Sequence, residues 1–353
     1  MPRDICIRSF LNNWQGYGQL GIELGRAIEA EGLSVEFEPI AVDEQFAKLP
    51  AWVDERTTAT PTAPLTVQVS VPHTPPPTGR RTVVFTMWET SEVNPRAVAA
   101  LNRFNLIATP SHACLVDFIK CGVTAPIGIV PLGIDPSVWR PRPMRPADGV
   151  TVFGAAGRMA HGGSRKGLNE LAHAFTLAFP PHRKDVRLEL KVWPDDVRRL
   201  MLPSDPRIVV RPDPWPTPML AAWLARLDCF VCPSKGEGWG LLTHQAMAVG
   251  RPVIACHASG TAEFWRPDCG WGVSFGWAPA GGLYRGQGRW IVPYVPSMVK
   301  AMRSCYRASR DDRQRRGEVA ASRAAAFTWQ RTGRELVALL RREGLIPSLA
   351  QAG

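Results

Sequence analysis

The stretch SKGEGWGLLTHQAMAVGRPVI, from Ser234 to Ile254, constrains this chain more than any other. Before it, Asp228 to Cys232 reads as a short buried strand. After Gly240, the apolar residues Leu241, Leu242, Ala246, Met247 and Val249 recur at helical spacing, and Gly250 closes the helix ahead of Pro252. The order is strand, glycine-rich turn, helix, strand. Such a turn offers unpaired backbone N–H groups and the positive end of a helix dipole, which together suit a diphosphate. Glu237 sits in the turn, where a carboxylate accepts hydrogen bonds from hydroxyl groups. Gln245 lies further into the helix, placed to face the same ligand.

This run resembles the donor-binding segment of retaining family-four glycosyltransferases, in which a Glu, seven residues and a second Glu precede Ala-Met-Ala-x-Gly-x-Pro-Val-Ile. Glu237 matches the first Glu, and Gln245 stands where the second would be. The resemblance implies the GT-B fold: an α/β chain of two Rossmann-like parallel-sheet domains facing across a cleft. It also implies that Glu237 contacts the transferred sugar and that position 245 holds the ribose hydroxyls of a nucleotide. Gly238, Trp239, Gly240, Leu241 and Leu242 are carried over with them as donor-binding. Gln keeps an acceptor oxygen and loses the charge, so ribose binding is expected to be weakened rather than abolished.

At 353 residues the chain is long enough for two domains with separate cores. No apolar run reaches transmembrane length, and Met1-Pro2-Arg3-Asp4 lacks a signal-peptide pattern. The eight cysteines are scattered, and Cys229-x-x-Cys232 falls inside the buried strand with no second pair, so a disulfide framework and a zinc site are not expected. A reducing cytoplasm fits. The net charge of +11 is uneven: through residue 150 there are thirteen Lys and Arg against fifteen Asp and Glu, leaving +13 to the remainder. An anionic donor accounts for part of that excess, and either a polyanionic partner or a solvated Arg-rich surface accounts for the rest.

Along the chain, a first strand from Asp4 to Phe10 leads through Gly16-Tyr17-Gly18 into a helix toward Gly32. The resemblance makes Gly16, Tyr17 and Gly18 donor contacts; a plain tight turn is the other reading. Strands follow at 33–40, 65–71 and 82–86, interrupted by the Pro-rich loop that carries His73. Glu89 and Thr90 come directly after a strand, at the edge where open α/β sheets bind ligands, and with His73 they form the acceptor or sugar side. Thr90 serves equally as a helix cap. A strand at 106–110, a helix from Ser111 to Cys121 and a last strand near 126–130 complete the first domain, residues 1–148, with 136–148 as its Pro- and Arg-rich linker.

The second domain, 149–325, opens on a strand at 150–155 and the turn from Gly157 to Gly167. The family places cations in this turn to neutralise the donor diphosphate, a role assigned to Arg158 and Lys166, with Arg165 as a substitute for Lys166 and Gly162-Gly163 as an added cradle. A helix at 168–179, strands at 186–192 and 207–210, and a helix at 217–227 lead back to the central strand. Trp193-Pro194 alters the wall expected near the nucleobase. Between 265 and 295, tryptophans and tyrosines alternate with glycines, and Trp277 and Trp290 are candidates for stacking on an acceptor. Residues 326–353 are a closing helix that the resemblance carries back to the first domain.

The implied reaction moves a sugar from a nucleoside-diphosphate sugar, UDP-sugar favoured, to a hydroxyl with retention of configuration. No metal is expected, since no carboxylate pair is placed like an Asp-x-Asp site. A slightly acidic first half and a basic second half favour a hydroxylated or hydroxymethylated base in duplex DNA as acceptor. Cell-envelope glycolipid or polysaccharide is the alternative acceptor. A nucleotide-sugar-binding protein without turnover is the alternative class.

Overall fold

The computed structural model describes residues 3–11, 16–42, 49–146, 148–159 and 163–348. These fall into two compact units: one takes the chain up to Trp88, Glu92–Gly133 and the segment from Phe327 onward, and the other takes Glu89–Ser91 and Ile134–Ala326.

In the first unit, β1 (Ile5–Leu11), β2 (Val35–Val42), β3 (Leu65–Val69), β4 (Arg81–Phe85), β5 (Leu106–Thr109) and β6 (Ile127–Ile129) form one sheet in the order β2-β1-β3-β4-β5-β6. Every neighbouring pair is parallel. The strands are rich in Val and Ile, and β3 is buried at every residue, as a parallel sheet covered on both faces requires. The helices are α1 (Gly16–Glu29), α2 (Ala51–Asp54), α3 (Pro95–Leu101) and α4 (His112–Lys120). Asn94 and Ser111 cap α3 and α4 by accepting from the third backbone N–H that follows each. The order reverses between β1 and β3, so the α1 entry with Gly16, Tyr17 and Gly18 lies at a switch point of this sheet.

In the second unit, β7 (Thr151–Ala156), α5 (Leu168–Ala178), β8 (Val186–Lys191), β9 (Ile208–Arg211), α6 (Thr217–Ala225), β10 (Cys229–Cys232), α7 (Leu241–Ala248), β11 (Val253–Ala255) and β12 (Gly270–Gly272) alternate. The sheet order is β12-β11-β10-β7-β8-β9, again all parallel. Counted from β7, this is the dinucleotide-fold order, and it reverses between β7 and β10. Its core gathers Phe153, Leu171, Phe175, Leu188, Leu190, Val231, Ile254 and Met302. The aromatic and glycine-rich region is an antiparallel ribbon, β13 (Phe275–Pro279) with β14 (Arg289–Pro293), in which Trp277 faces Ile291. The tail is three helices: α8 (Val295–Arg307), α9 (Arg310–Ala325) and α10 (Trp329–Arg342), with Ser309 and Thr328 capping the last two.

Helix α10 belongs to the first unit. There Thr332 Oγ1 donates to the Pro131 carbonyl at 2.8 Å, and a Cβ on Gly333 would lie 2.6 Å from the Ala27 carbonyl oxygen.

The stretch read as a linker, 136–148, falls instead within the second unit, whose main segment is Ile134–Ala326. Trp139 and Met144 are buried. Arg145 Nη2 pairs with Asp228 Oδ2 at 3.1 Å, and the Arg142 N–H donates to the Val249 carbonyl at 3.2 Å. Composition misleads here because proline and arginine, common in solvated linkers, can also pack: the prolines need no ladder bonds and the arginines find buried acceptors. Among the described residues, no helix is long and apolar enough to cross a membrane, and no cluster of three or more His, Cys, Asp or Glu side chains could hold a metal ion. All eight cysteines are free.

Candidate active site

The site is built at the switch point between β7 and β10. Beyond β10 the chain turns through Pro233–Gly240 and enters α7. The turn needs glycine for two separate reasons. Gly240 has φ +99°, a left-handed conformation that lets the chain turn into the helix. At Gly236 a Cβ would run into the Glu89 carbonyl oxygen. Helix α7 starts with no side-chain cap, so its first N–H groups stay available to an anion.

Glu237 is held by two cations from the segment that follows β7. Lys166 Nζ lies 2.6 Å from Glu237 Oε1, and Arg165 Nη1 lies 3.5 Å from Oε2. Arg165 also donates to the Gly236 carbonyl at 2.6 Å, and its Nη2 lies 3.6 Å from Glu89 Oε1. Tyr284 of the ribbon donates its hydroxyl proton to Glu89 Oε2 at 3.0 Å, and the Arg165 guanidinium sits 5.8 Å from its ring centroid. Two carboxylates and two cations thus form one nearly buried, charge-balanced cluster. Burial alone would push the Glu237 carboxyl up, but Lys166 and Arg165 outweigh it and hold it down at about 2. The same carboxylates hold the Arg165 guanidinium above its ordinary range against the effect of its burial. Arg165 Nε is buried and has no hydrogen-bond partner among the described residues, an open donor in the middle of the cluster.

The turn is fixed from behind. Ser234 Oγ donates to the Gly236 carbonyl at 3.1 Å, and the Glu237 N–H reaches Ser259 Oγ at 3.3 Å. Ser259 itself has φ +52°, unusual for a residue with a Cβ. Trp239 is buried at 1 % exposure, with its ring 4.9 Å from Phe264, so its indole is core and only its backbone belongs to the turn surface. Its Nε1–H donates to His244 Nδ1 at 3.3 Å, which leaves His244 Nε2 as the protonated nitrogen facing the Ala324 carbonyl at 3.1 Å. Burial lowers His244 to about 4, so it is neutral. Gln245 is 3 % exposed, and no described residue hydrogen-bonds its side-chain amide.

Of the residues singled out in the sequence, Glu89, Arg165, Lys166 and Glu237 come together. Arg165 and Lys166 act jointly on Glu237 rather than one replacing the other. Arg158 goes elsewhere: its guanidinium lies 4.8 Å from the Trp193 ring centroid, with Nε 3.5 Å from buried Asp196. Leu241 and Leu242 are half-buried in the first turn of α7, and Thr90 is buried. Gly162 of the added cradle lies outside the described residues; Gly163–Lys166 forms a short 3-10 turn. In the first unit, the Tyr17 hydroxyl bonds the Met87 backbone, donating to its carbonyl at 3.3 Å, while His73 is exposed in its loop. Trp290 is buried, with Lys235 Nζ 5.5 Å from its ring centroid, so it anchors the ribbon and offers no stacking face. Trp277 is 55 % exposed and keeps that face. Sequence reasoning missed Ser259 and had no role for Tyr284, because neither lies in a local pattern that points at Glu237.

Residues 150–275 match the family model described as Glycosyl transferases group 1. Over that stretch the chain is similar to this family. Among curated proteins, MMP alpha-(1->4)-mannosyltransferase of Mycolicibacterium hassiacum is 27 % identical over 168 residues. That alignment takes 46 % of this chain and only 39 % of the relative. Among solved structures, sucrose-phosphate synthase from Thermosynechococcus elongatus superposes with a TM-score of 0.71 at 16 % identity, over 96 % of this chain and 98 % of that one. HepE from Anabaena, in complex with UDP-glucose, gives a TM-score of 0.67 at 14 % identity, over 96 % and 100 %. The chain therefore has the GT-B fold, and the matched stretch lies in its second Rossmann-like half.

Proposed function

We propose that this protein is a retaining glycosyltransferase that takes a nucleoside-diphosphate sugar and passes the sugar to a hydroxyl of a saccharide. What carries the reading is the Glu237 cluster: a carboxylate in a glycine turn at a sheet switch point, clamped by Arg165 and Lys166, within the stretch similar to group 1 glycosyltransferases. The donor diphosphate would take over Arg165 and Lys166, fill the open Arg165 Nε and meet the uncapped start of α7. Released from its cations, Glu237 would accept from hydroxyls of the transferred sugar, and Gln245 from the ribose.

The acceptor oxygen forms its bond to the anomeric carbon on the face from which the phosphate oxygen departs. The acceptor proton passes to that departing oxygen, so the products are a glycoside and a nucleoside diphosphate, and no separate base is needed. Charge grows on the leaving phosphate in the transition state, where Arg165 and Lys166 contribute most. These two cations take the place of a metal in this reading. A UDP-sugar is favoured because HepE is seen with UDP-glucose, and a mannosyl donor is the next choice because the curated relative is named a mannosyltransferase.

DNA as the acceptor has one observation in its favour, the +13 carried by residues after 150. That figure is net of the carboxylates and spread over half the chain, an anionic donor takes up part of it, and the similar proteins are named a mannosyltransferase and a sucrose-phosphate synthase. The saccharide reading therefore stands first. The test is transfer from radiolabelled UDP-glucose and GDP-mannose to oligosaccharides, lipid extract and hydroxymethylated duplex DNA, offered side by side with chelator present. Label in saccharide is the expected result; label in DNA alone would reverse the order of acceptors. No nucleotide release from any nucleotide sugar, with or without added divalent metal, would leave a binding protein.

A further inference from the structure

Among the described residues, Ser259 is the one residue other than glycine whose φ is positive, at +52°. A Cβ disfavours that left-handed conformation, which glycine adopts freely. Ser259 lies in the turn that follows β11, and β11 pairs with β10, so this turn stands beside the one that carries Glu237. The Glu237 N–H donates to Ser259 Oγ at 3.3 Å, and the Gly260 N–H donates to the Glu237 carbonyl at 2.8 Å. Two consecutive residues thus hold both backbone groups of Glu237. The Ser259 hydroxyl donates to no described residue, so toward the rest of the described chain it acts only as an acceptor.

The two turns are fitted together without that hydroxyl. Thr261 is buried, and its Oγ1 donates to the Ala258 carbonyl at 2.8 Å. A Cβ on Gly260 would run into the Gly238 carbonyl, and one on Gly240 would lie 2.6 Å from Thr261 Cγ2. These contacts, with the bond from Gly260 to Glu237, set the shape of the glycine turn. Ser259 Oγ adds a bond to the N–H of the very residue that bears the carboxylate, and the chain keeps a left-handed serine there although glycine would relieve it. Backbone strain of this kind gathers at functional sites, where the surrounding structure holds it.

We propose that Ser259 is a positioning residue that keeps Glu237 in place once the donor has drawn Arg165 and Lys166 away. The inference rests on the nucleotide-sugar reading above. In the free protein the carboxylate is held directly, by Lys166 at 2.6 Å and Arg165 at 3.5 Å. When the diphosphate takes those cations, the side chain loses its clamp, and its aim depends on where the backbone sets its Cα. The bonds from Ser259 and Gly260 fix that point. A Glu237 left loose does not change what the cations offer the diphosphate, so nucleotide binding survives. The sugar, however, is then held poorly at its reacting carbon, and the chemical step slows.

The experiment compares Ser259→Gly, Ser259→Ala and Ser259→Asn with wild type in the full chain. Turnover is nucleotide release from UDP-glucose and from GDP-mannose with oligosaccharides and lipid extract as acceptors; UDP and GDP affinities come from calorimetry. The glycine and alanine variants should lose about tenfold in kcat while nucleotide Kd stays within about twofold. The glycine variant, relieved of strain, should melt within about 2 °C of wild type, and it serves if the alanine variant fails to fold. Asparagine tolerates the left-handed region and offers an acceptor oxygen, so Ser259→Asn should recover most of the lost kcat. Glycine and asparagine variants with equal kcat, or a fall in kcat matched by an equal loss of nucleotide affinity, would overturn the assignment. Release of nucleotide from neither sugar donor by wild type would overturn the donor reading itself, and this inference with it.

Discussion

Replacing Glu237 by Gln separates two contributions of the same carboxylate. In the free protein Glu237 is 16 % exposed at its side chain and pairs with Lys166 at 2.6 Å and Arg165 at 3.5 Å. Moving its carboxyl from the ordinary 4.5 to about 2 corresponds to roughly 3 kcal/mol of pH-linked stability. The sign follows from protons bound. Between about pH 4.5 and pH 2 the unfolded carboxyl is protonated while the folded one is not, so stability rises with pH across that window. The contribution is complete above the window and is lost as pH falls through it. Urea unfolding of wild type and Glu237→Gln, followed by tryptophan fluorescence, gives the difference at each pH. That difference should be constant above about pH 5 and shrink toward about pH 2. A difference independent of pH down to about pH 3 would refute the ion-pair account. The variant also leaves the Arg165–Lys166 pair with one fewer carboxylate. UDP should therefore bind at least as tightly as to wild type, while sugar transfer falls by roughly a hundredfold or more. Loss of UDP binding along with turnover would assign Glu237 a structural role only.

Three further outcomes are expected. Gln245→Glu places a carboxylate where no described residue offers the amide a hydrogen bond, so the free protein should melt lower above the acid range, while UDP binding tightens through the ribose hydroxyls; unchanged affinity would remove position 245 from the ribose. His244 is neutral in the folded state at about 4 against an ordinary 6.5, so stability should fall by on the order of 3 kcal/mol as pH drops through that interval, and His244→Gln should lack this slope in the same urea series. Gly236→Ala drives a methyl group into the Glu89 carbonyl, so hydrogen exchange at Ser91, whose N–H donates to the Arg289 carbonyl at 2.8 Å, should accelerate, with roughly 1–3 kcal/mol lost in stability.

What could be read directly from the sequence was whatever is encoded over a few consecutive residues. The strand, turn and helix around Glu237 are legible because glycine positions, helical apolar spacing and Pro252 act locally, whatever the rest of the chain does. The same holds for the βα alternation, which set two parallel sheets before any strand was paired, and for the helix start at Ser111. The 136–146 stretch was misread because composition reports solvation tendencies, not acceptors: nothing local announces that Arg145 will find Asp228.

Only the tertiary structure decided the partners. Strand order brings the β7 exit beside the β10 exit, and that adjacency seats Arg165 and Lys166 on Glu237 across some seventy intervening residues. Arg158, in the same turn and of the same charge, instead lies against Trp193 and Asp196 because β8 is the neighbour on the other side of β7. Ser259 and Tyr284 carry no local signal, since a serine before a glycine and a tyrosine in a ribbon are each ordinary. Their chemistry comes from desolvation and from groups distant in sequence, and those exist only once the sheet has assembled. The sequence determined the backbone turn; the fold decided which side chains stand around it.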